Sequence, residues 1–164
     1  GVSTGLSKQI TPGKRAMAIS VSDTNAVSRL LKPGDRIDLV ATIDPPGAGK
    51  GGLITKIVLQ DVPVLSVGEY VTSQAPRKVE KDDSTGKDYV RNLNIERNFS
   101  TITIEVEPRV VPQITLLQDS GVAKLSVALR HNDDTERLSL GGTTLLEVLG
   151  SDASKISRFP ASQR

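Results

Sequence analysis

The chain has no cysteine and no tryptophan, a single histidine, and just two tyrosines and two phenylalanines. Without cysteine it forms neither a disulfide nor a thiolate metal site, and its redox compartment stays open, because an oxidising space does not demand disulfides. With aromatics at 2%, Val, Ile and Leu must supply almost all of the burial, which suits a β-rich fold. One imidazole leaves little material for base-activated nucleophiles or His-ligated metals. No apolar run approaches the roughly 20 residues that span a bilayer, and Gly1–Gly5 has neither the basic start nor the apolar core of a secretory signal. A chain opening on Gly1 with no methionine is expected to be a portion of a longer protein, with any anchor or targeting segment lying upstream. Charge of one sign is missing too. The 21 basic and 19 acidic residues leave a formal +2, and the signs alternate rather than forming a stripe, so no nucleic-acid partner is expected.

What is present is patterned aliphatic sequence. At 164 residues the chain is long enough for one domain with its own core. Residues Thr101–Arg130 set out both hydrophobic periods side by side. Ile102, Ile104 and Val106 alternate with polar neighbours, and Leu125, Val127 and Leu129 do the same, as in strands with one buried face. Between them Val110, Ile114 and Leu117 stand at helical spacing, and Gly121 follows where a helix needs a left-handed closing residue. Pro108 and Pro112 both suit a first helical turn, so that turn is expected to be irregular or to begin only at Pro112.

Taken in order, 1–9 reads as a flexible lead. Thr11-Pro12-Gly13-Lys14 fits a type II turn, and a strand follows at Arg15–Val21 with Met17, Ile19 and Val21 on one face. Ser22 and Asp23 suit a cap, with one or two helical turns through Leu31 until Pro33 stops them. Lys32-Pro33-Gly34-Asp35 repeats the turn, Arg36 echoes Arg15, and Ile37, Leu39, Ala41 and Ile43 alternate as the next strand. Asp44–Gly52 is a turn-rich loop. Leu53–Gln60 is a strand, and Asp61 with Pro63 marks a bend before Val64, Leu65 and Val67 continue it. Charged residues crowd the stretch from Glu69 to Leu93, which reads as a long exposed loop, 72–92 in particular. His131–Glu136 is a polar turn, Gly141-Gly142 a tight connection and Thr143–Leu149 a last strand, before a flexible tail at 151–164.

Some stretches imitate chemistry. Gly47-Ala48-Gly49-Lys50-Gly51-Gly52 matches G-x-G-x-x-G, but that fingerprint needs a helix after it to receive the pyrophosphate, and here a strand pattern follows. It is not a P-loop either, since neither Ser nor Thr follows Lys50. His131 with Asp133 and Asp134 would make a poor metal set, and Asn132 and the aspartates are ordinary turn formers. Glu105 and Glu107 share one strand face, the solvated one. A Ser, Lys or paired-carboxylate mechanism stays open on composition, but no constellation selects it, and no enzyme, cofactor or metal is expected.

Four blocks carry a family resemblance. Pro33-Gly34-Asp35-Arg36-Ile37-Asp38-Leu39 resembles the signature of the Flp (Tad) pilus assembly protein family CpaB, also called RcpC. Thr11–Ile19 is similar to the end of that family's SAF-type β-clip module, Val58–Gly68 to its strand pair, and the unit ending Lys124–Arg130 to its strand, helix and strand. The motif residues are Pro12, Gly13, Arg15, Pro33, Gly34, Asp35, Arg36, Asp38, Leu125, Ser126, Leu129 and Arg130, all in structural roles. The resemblance implies a mainly β (α+β), β-barrel-like, β-clip-related sheet of about six to eight strands with one main helix near 108–120. Residues 10–22 would be the end of the SAF-like module or a first strand, and 23–150 the RcpC-like domain. It implies a non-catalytic periplasmic component of type IVc pilus assembly, anchored in the inner membrane in full length, that scaffolds or regulates the outer-membrane secretin and other pilus assembly proteins. The alternative is a module binding cell-wall peptidoglycan. Sugar sites favour aromatic platforms, and only Tyr70, Tyr89, Phe99 and Phe159 are available.

Overall fold

The alternating stretches become strands. The computed structural model describes residues 5–22, 27–48, 52–73, 78–81, 88–91 and 97–150, with side chains for all of these outside 69–99. Its main strands are β1 (Arg15–Ser22), β2 (Arg36–Ile43), β3 (Ile54–Ser73), β6 (Arg97–Val106) and β7 (Ala123–Arg130), with a two-residue β8 at Thr143–Thr144. They form one six-stranded antiparallel sheet in the order β1-β6-β3-β2-β7, and β8 pairs with β3. Most inward residues are those the period-2 pattern named: Ile19, Val21, Ile37, Leu39, Ala41, Ile102, Ile104, Leu125 and Val127 are all buried, whereas Leu129, expected on the same face as Leu125 and Val127, is exposed at the end of its strand; the described core contains no aromatic side chain.

The helix between β6 and β7 begins irregularly, as its two prolines require. Pro108–Val110 is a 3-10 turn, and α1 (Val111–Asp119) follows with Pro112 in its first turn, where a missing N–H costs nothing. Gly121, at φ +71°, lets the chain reverse into β7. Ile114 is buried, with Val110 and Leu117 packed beside it on the core.

This placement explains the one feature of the expected architecture that the molecule lacks. The sheet is mainly β as expected, but it is not closed into a barrel: the path ends at β1 and β7. These two edges pack near one another, and α1 touches both. The Gln118 side chain accepts the Ser20 N–H of β1 at 3.0 Å, a donor that barrel closure would have given to a strand. A helix in the seam thus replaces the last ladder.

Two other expectations are corrected. Thr143–Leu149 is not a strand: only β8 pairs, with Ile54 and Thr55, and Leu145–Leu149 is a short helix, α2. The reason is a capping box, in which the Thr144 hydroxyl accepts the Glu147 N–H at 3.3 Å and the Glu147 carboxylate accepts the Thr144 N–H at 2.9 Å. Within 72–92 the described residues are strand residues: Thr72 and Ser73 end β3, and β4 (Lys78–Lys81) pairs with β5 (Asp88–Arg91), Val79 opposite Val90. The rest of that loop, the cap at Ser22-Asp23 beyond Ser22, residues 1–4 of the 1–9 lead and the 151–164 tail lie outside the described residues, and within the lead Leu6–Lys8 is a 3-10 turn.

Candidate functional site

The local chemistry begins with two Pro-Gly turns. Gly13 (φ +87°) and Gly34 (φ +94°) supply the positive φ that a type II turn needs at its third position, and each turn closes: the Lys14 N–H donates to the Thr11 carbonyl at 2.9 Å, and the Asp35 N–H to the Lys32 carbonyl at 3.0 Å. The Asp35 carboxylate also accepts the Lys32 N–H at 2.8 Å. The second turn is fastened to β3, since the Gly34 N–H donates to the Val64 carbonyl and the Val64 N–H to the Asp35 carbonyl. Arg15 only opens β1, where its guanidinium meets the Lys14 carbonyl.

From the second turn β2 alternates Ile37 and Leu39 into the core with Arg36 and Asp38 onto the other face. Opposite Asp38 the β2–β3 register slips: Ile37 faces Val62 but Leu39 faces Leu59, so Gln60 and Asp61 together stand against one residue. Asp61 absorbs this bulge at φ +56°, alone among the described non-glycine residues in having a positive φ, and Asp is one of the few side chains that tolerate it.

Four charged groups converge on that bulge. The Arg36 guanidinium donates through Nε to the Asp61 carboxylate and through a terminal nitrogen to the Asp61 carbonyl at 3.2 Å. The Asp61 N–H donates to Asp38 Oδ1 at 2.9 Å. From β7, one terminal nitrogen of Arg130, Nη1, donates to both Asp38 oxygens, at 3.0 and 3.2 Å. Its remaining donors hold the next segment, at the Glu136 carbonyl (2.6 Å), the Asp134 carbonyl (3.3 Å) and the Asp134 carboxylate (2.9 Å). Asp61 is 7% exposed, Arg130 9%, Asp38 15% and Arg36 32%. The hydrogen bond from Arg36 holds the Asp61 carboxyl below the usual carboxylate range and Arg36 itself above its usual value. Burial works against the Arg130 cation, but its bond to Asp38 and the nearby Asp134 and Asp61 leave it raised as well.

Of the sequence motif, the structure therefore brings together Arg36, Asp38 and Arg130, with Asp35 in the turn alongside. Leu125 is a core residue, Ser126 pairs with Val40, and Leu129 is 48% exposed near the end of β7. Pro12, Gly13 and Arg15 stand apart at the start of β1. Sequence reasoning missed the partners, Asp61 as an ion-pair acceptor and Asp134 as the far anchor. A carboxylate in an otherwise aliphatic strand was the available signal for Asp61.

Beside the bulge β3 and β6 diverge, because Pro108 turns the chain out of the sheet two residues past Val106. This leaves a groove of about 410 Å³, floored by Val58, Val62, Val106 and Val110 and rimmed by Lys14, Glu105, Glu107, Arg109 and Arg137. Its carboxylates are occupied. Glu107 binds Arg109 at 2.8 Å and Lys14 at 3.5 Å, and those two cations, Arg109 first, pull its carboxyl below the usual range. Glu105 accepts the Thr11 N–H at 2.5 Å and the Thr11 hydroxyl at 3.2 Å. The groove lining has no hydroxyl, thiol or imidazole, and no cluster among the described residues has the ligands to hold a metal ion. Ionised carboxylates already committed to cations suit a fixed polar surface; a general acid needs the opposite, a carboxyl raised toward neutrality.

No curated protein and no solved structure matches the chain. A family model does: that of the Flp pilus assembly protein RcpC/CpaB, over residues 4–130. That span takes in both Pro-Gly turns and every residue of the motif and ends at the arginine that closes the charged cluster, and the chain belongs to the RcpC/CpaB family of Flp pilus assembly proteins.

Proposed function

We propose that this chain is the periplasmic docking portion of a Flp (Tad) pilus assembly protein, anchored in the inner membrane in its full length, that scaffolds or regulates the outer-membrane secretin and the pilus machinery without doing chemistry. The observation carrying this reading is the fate of the ionisable groups. Asp38, Asp61, Glu105 and Glu107 are each bound to a cation or a backbone donor of the fold itself. What the fold leaves available is sheet edge and exposed aliphatic surface, which suits recognition of protein partners. A glycan would want aromatic platforms, and the groove lining offers none.

Binding of the purified chain to the periplasmic domains of the secretin, run beside sedimentation with purified peptidoglycan, tests this. Retention by the secretin domains, with slowed hydrogen exchange along one edge of the sheet, is the expected result. Cosedimentation with peptidoglycan and no secretin binding would replace this reading with the glycan one.

A further inference from the structure

Beyond Arg130, where the family match ends, the chain continues as a strap along the edge of β3 that faces away from β2. Thr143 and Thr144 pair with Thr55 and Ile54. Farther back, the Gln60 side-chain amide stands in for a strand: its nitrogen donates to the Leu138 carbonyl at 2.7 Å and its oxygen accepts the Leu138 N–H at 2.8 Å. The offset between the two chains is the same at both points, so Leu138–Thr144 lies in one antiparallel register on β3. Between them, no bridge joins Ser139–Gly142 to the edge. The strap also stays wet. Every residue from His131 to Thr143 is exposed, including Leu138 and Leu140, and Leu146 and Val148 of α2 are exposed after it. Its root is firm, because Arg130 grips the backbone at Asp134 and Glu136.

We propose that this strap is an exchangeable strand, and that β8 and α2 of one copy of the chain seat on the β3 edge of a second copy while the second returns the same element. The occupant follows from the register: the sequence seen to fit between the Gln60 amide and Thr55 is the strap's own, and a second copy carries it. Exchange keeps each of those contacts, so it costs little enthalpy, and the two-fold arrangement is self-closing. The clamp at Arg130 places the crossover after Glu136, where Arg137 has no ion-pair partner among the described residues.

The test needs only this chain, so its failure is separate from any failure of secretin binding. Because native cysteine is absent, introduced cysteines report without background. Thr55→Cys and Thr143→Cys are prepared separately, mixed and oxidised, with Thr55→Cys plus Lys124→Cys as the off-register control. The expected result is a disulfide-linked heterodimer formed several-fold more in the first mixture than in the control, and a wild-type molar mass by light scattering that rises from one chain toward two with concentration. A wild-type chain that stays monomeric at every concentration, or a heterodimer yield no higher than the control, overturns the proposal.

Discussion

Asp61 does two separable things, and a three-variant series pulls them apart. It carries a buried carboxylate for Arg36 and it occupies a left-handed backbone position. Removing one partner of a fully buried ion pair costs about 3–5 kcal/mol. Here Arg36 is a third exposed and can regain water once its partner is lost, so Asp61→Asn, which still tolerates the positive φ, is expected to cost about 1–2 kcal/mol. Asp61→Ala loses the charge and adds the left-handed penalty of a side chain with no local hydrogen bond, about 1 kcal/mol more. Asp61→Gly relieves the φ and should fall between them. For a chain of this size each kcal/mol moves Tm by about 2–4 °C, so melts followed by far-UV circular dichroism resolve the order. The pH dependence has a definite sign. The folded carboxyl titrates below the ordinary aspartate value of about 3.9, so the unfolded chain binds the proton first. The stability Asp61 contributes is then complete above the ordinary value and is lost as pH falls through the depressed one. The gap between wild type and Asp61→Asn should close on acidification. An Asn variant as stable as wild type at neutral pH, or an Ala variant no worse than Asn, would refute the reasoning.

Three further outcomes are expected. Gly34→Ala should lose about 1 kcal/mol by urea denaturation, all of it backbone strain, since the added Cβ has no atom within 4 Å and the φ is +94°. Ile114→Ala, at 2% exposure in the seam between β1 and β7, should cost about 3 kcal/mol by the same assay and speed hydrogen exchange at Ser20, whose N–H depends on Gln118 of the same helix. Thr144→Ala breaks the capping box at a local cost of about 1 kcal/mol, and should raise hydrogen exchange in α2 and β8 while leaving Tm nearly unchanged.

Much of the fold is legible because an aliphatic core writes its periods plainly. With almost no aromatics, the buried hydrophobic positions of β1, β2, β6 and β7 are Val, Ile, Leu or Ala at every second residue, and both Pro-Gly turns announce their glycines. The parts that sequence did not disclose are governed by other physics. Alternation predicts faces but not neighbours, so it could not say whether the sheet would close or take α1 into its seam. In Thr143–Leu149 the aliphatic run outweighed a cap whose signature, Thr144 three residues before Glu147, was in view. The charged cluster was half visible: Arg36, Asp38 and Arg130 belong to recognisable motifs, but their meeting depends on β2 lying between β3 and β7, which is a long-range fact.

The cluster and the shape of β3 are two sides of one requirement. A straight strand of 20 residues would run about 66 Å, while a folded chain of this length is about 40 Å across, so β3 must bend. It does so by slipping register against β2 between Ile37 and Val40 and against β6 on either side of Val67, where Gly68 comes so close to Thr101 that a Cβ would meet the Thr101 carbonyl at 3.0 Å. Each bulge strips ladder hydrogen bonds from the backbone, and a buried donor left without a partner costs more than the bond it lost. The Asp61 N–H and carbonyl are such groups, and Asp38 and Arg36 satisfy them. The two charges then need counter-ions, which Arg130 and the Asp61 carboxylate supply. Bending one strand far enough to serve two ladders therefore consumes the four charges that looked most like chemistry.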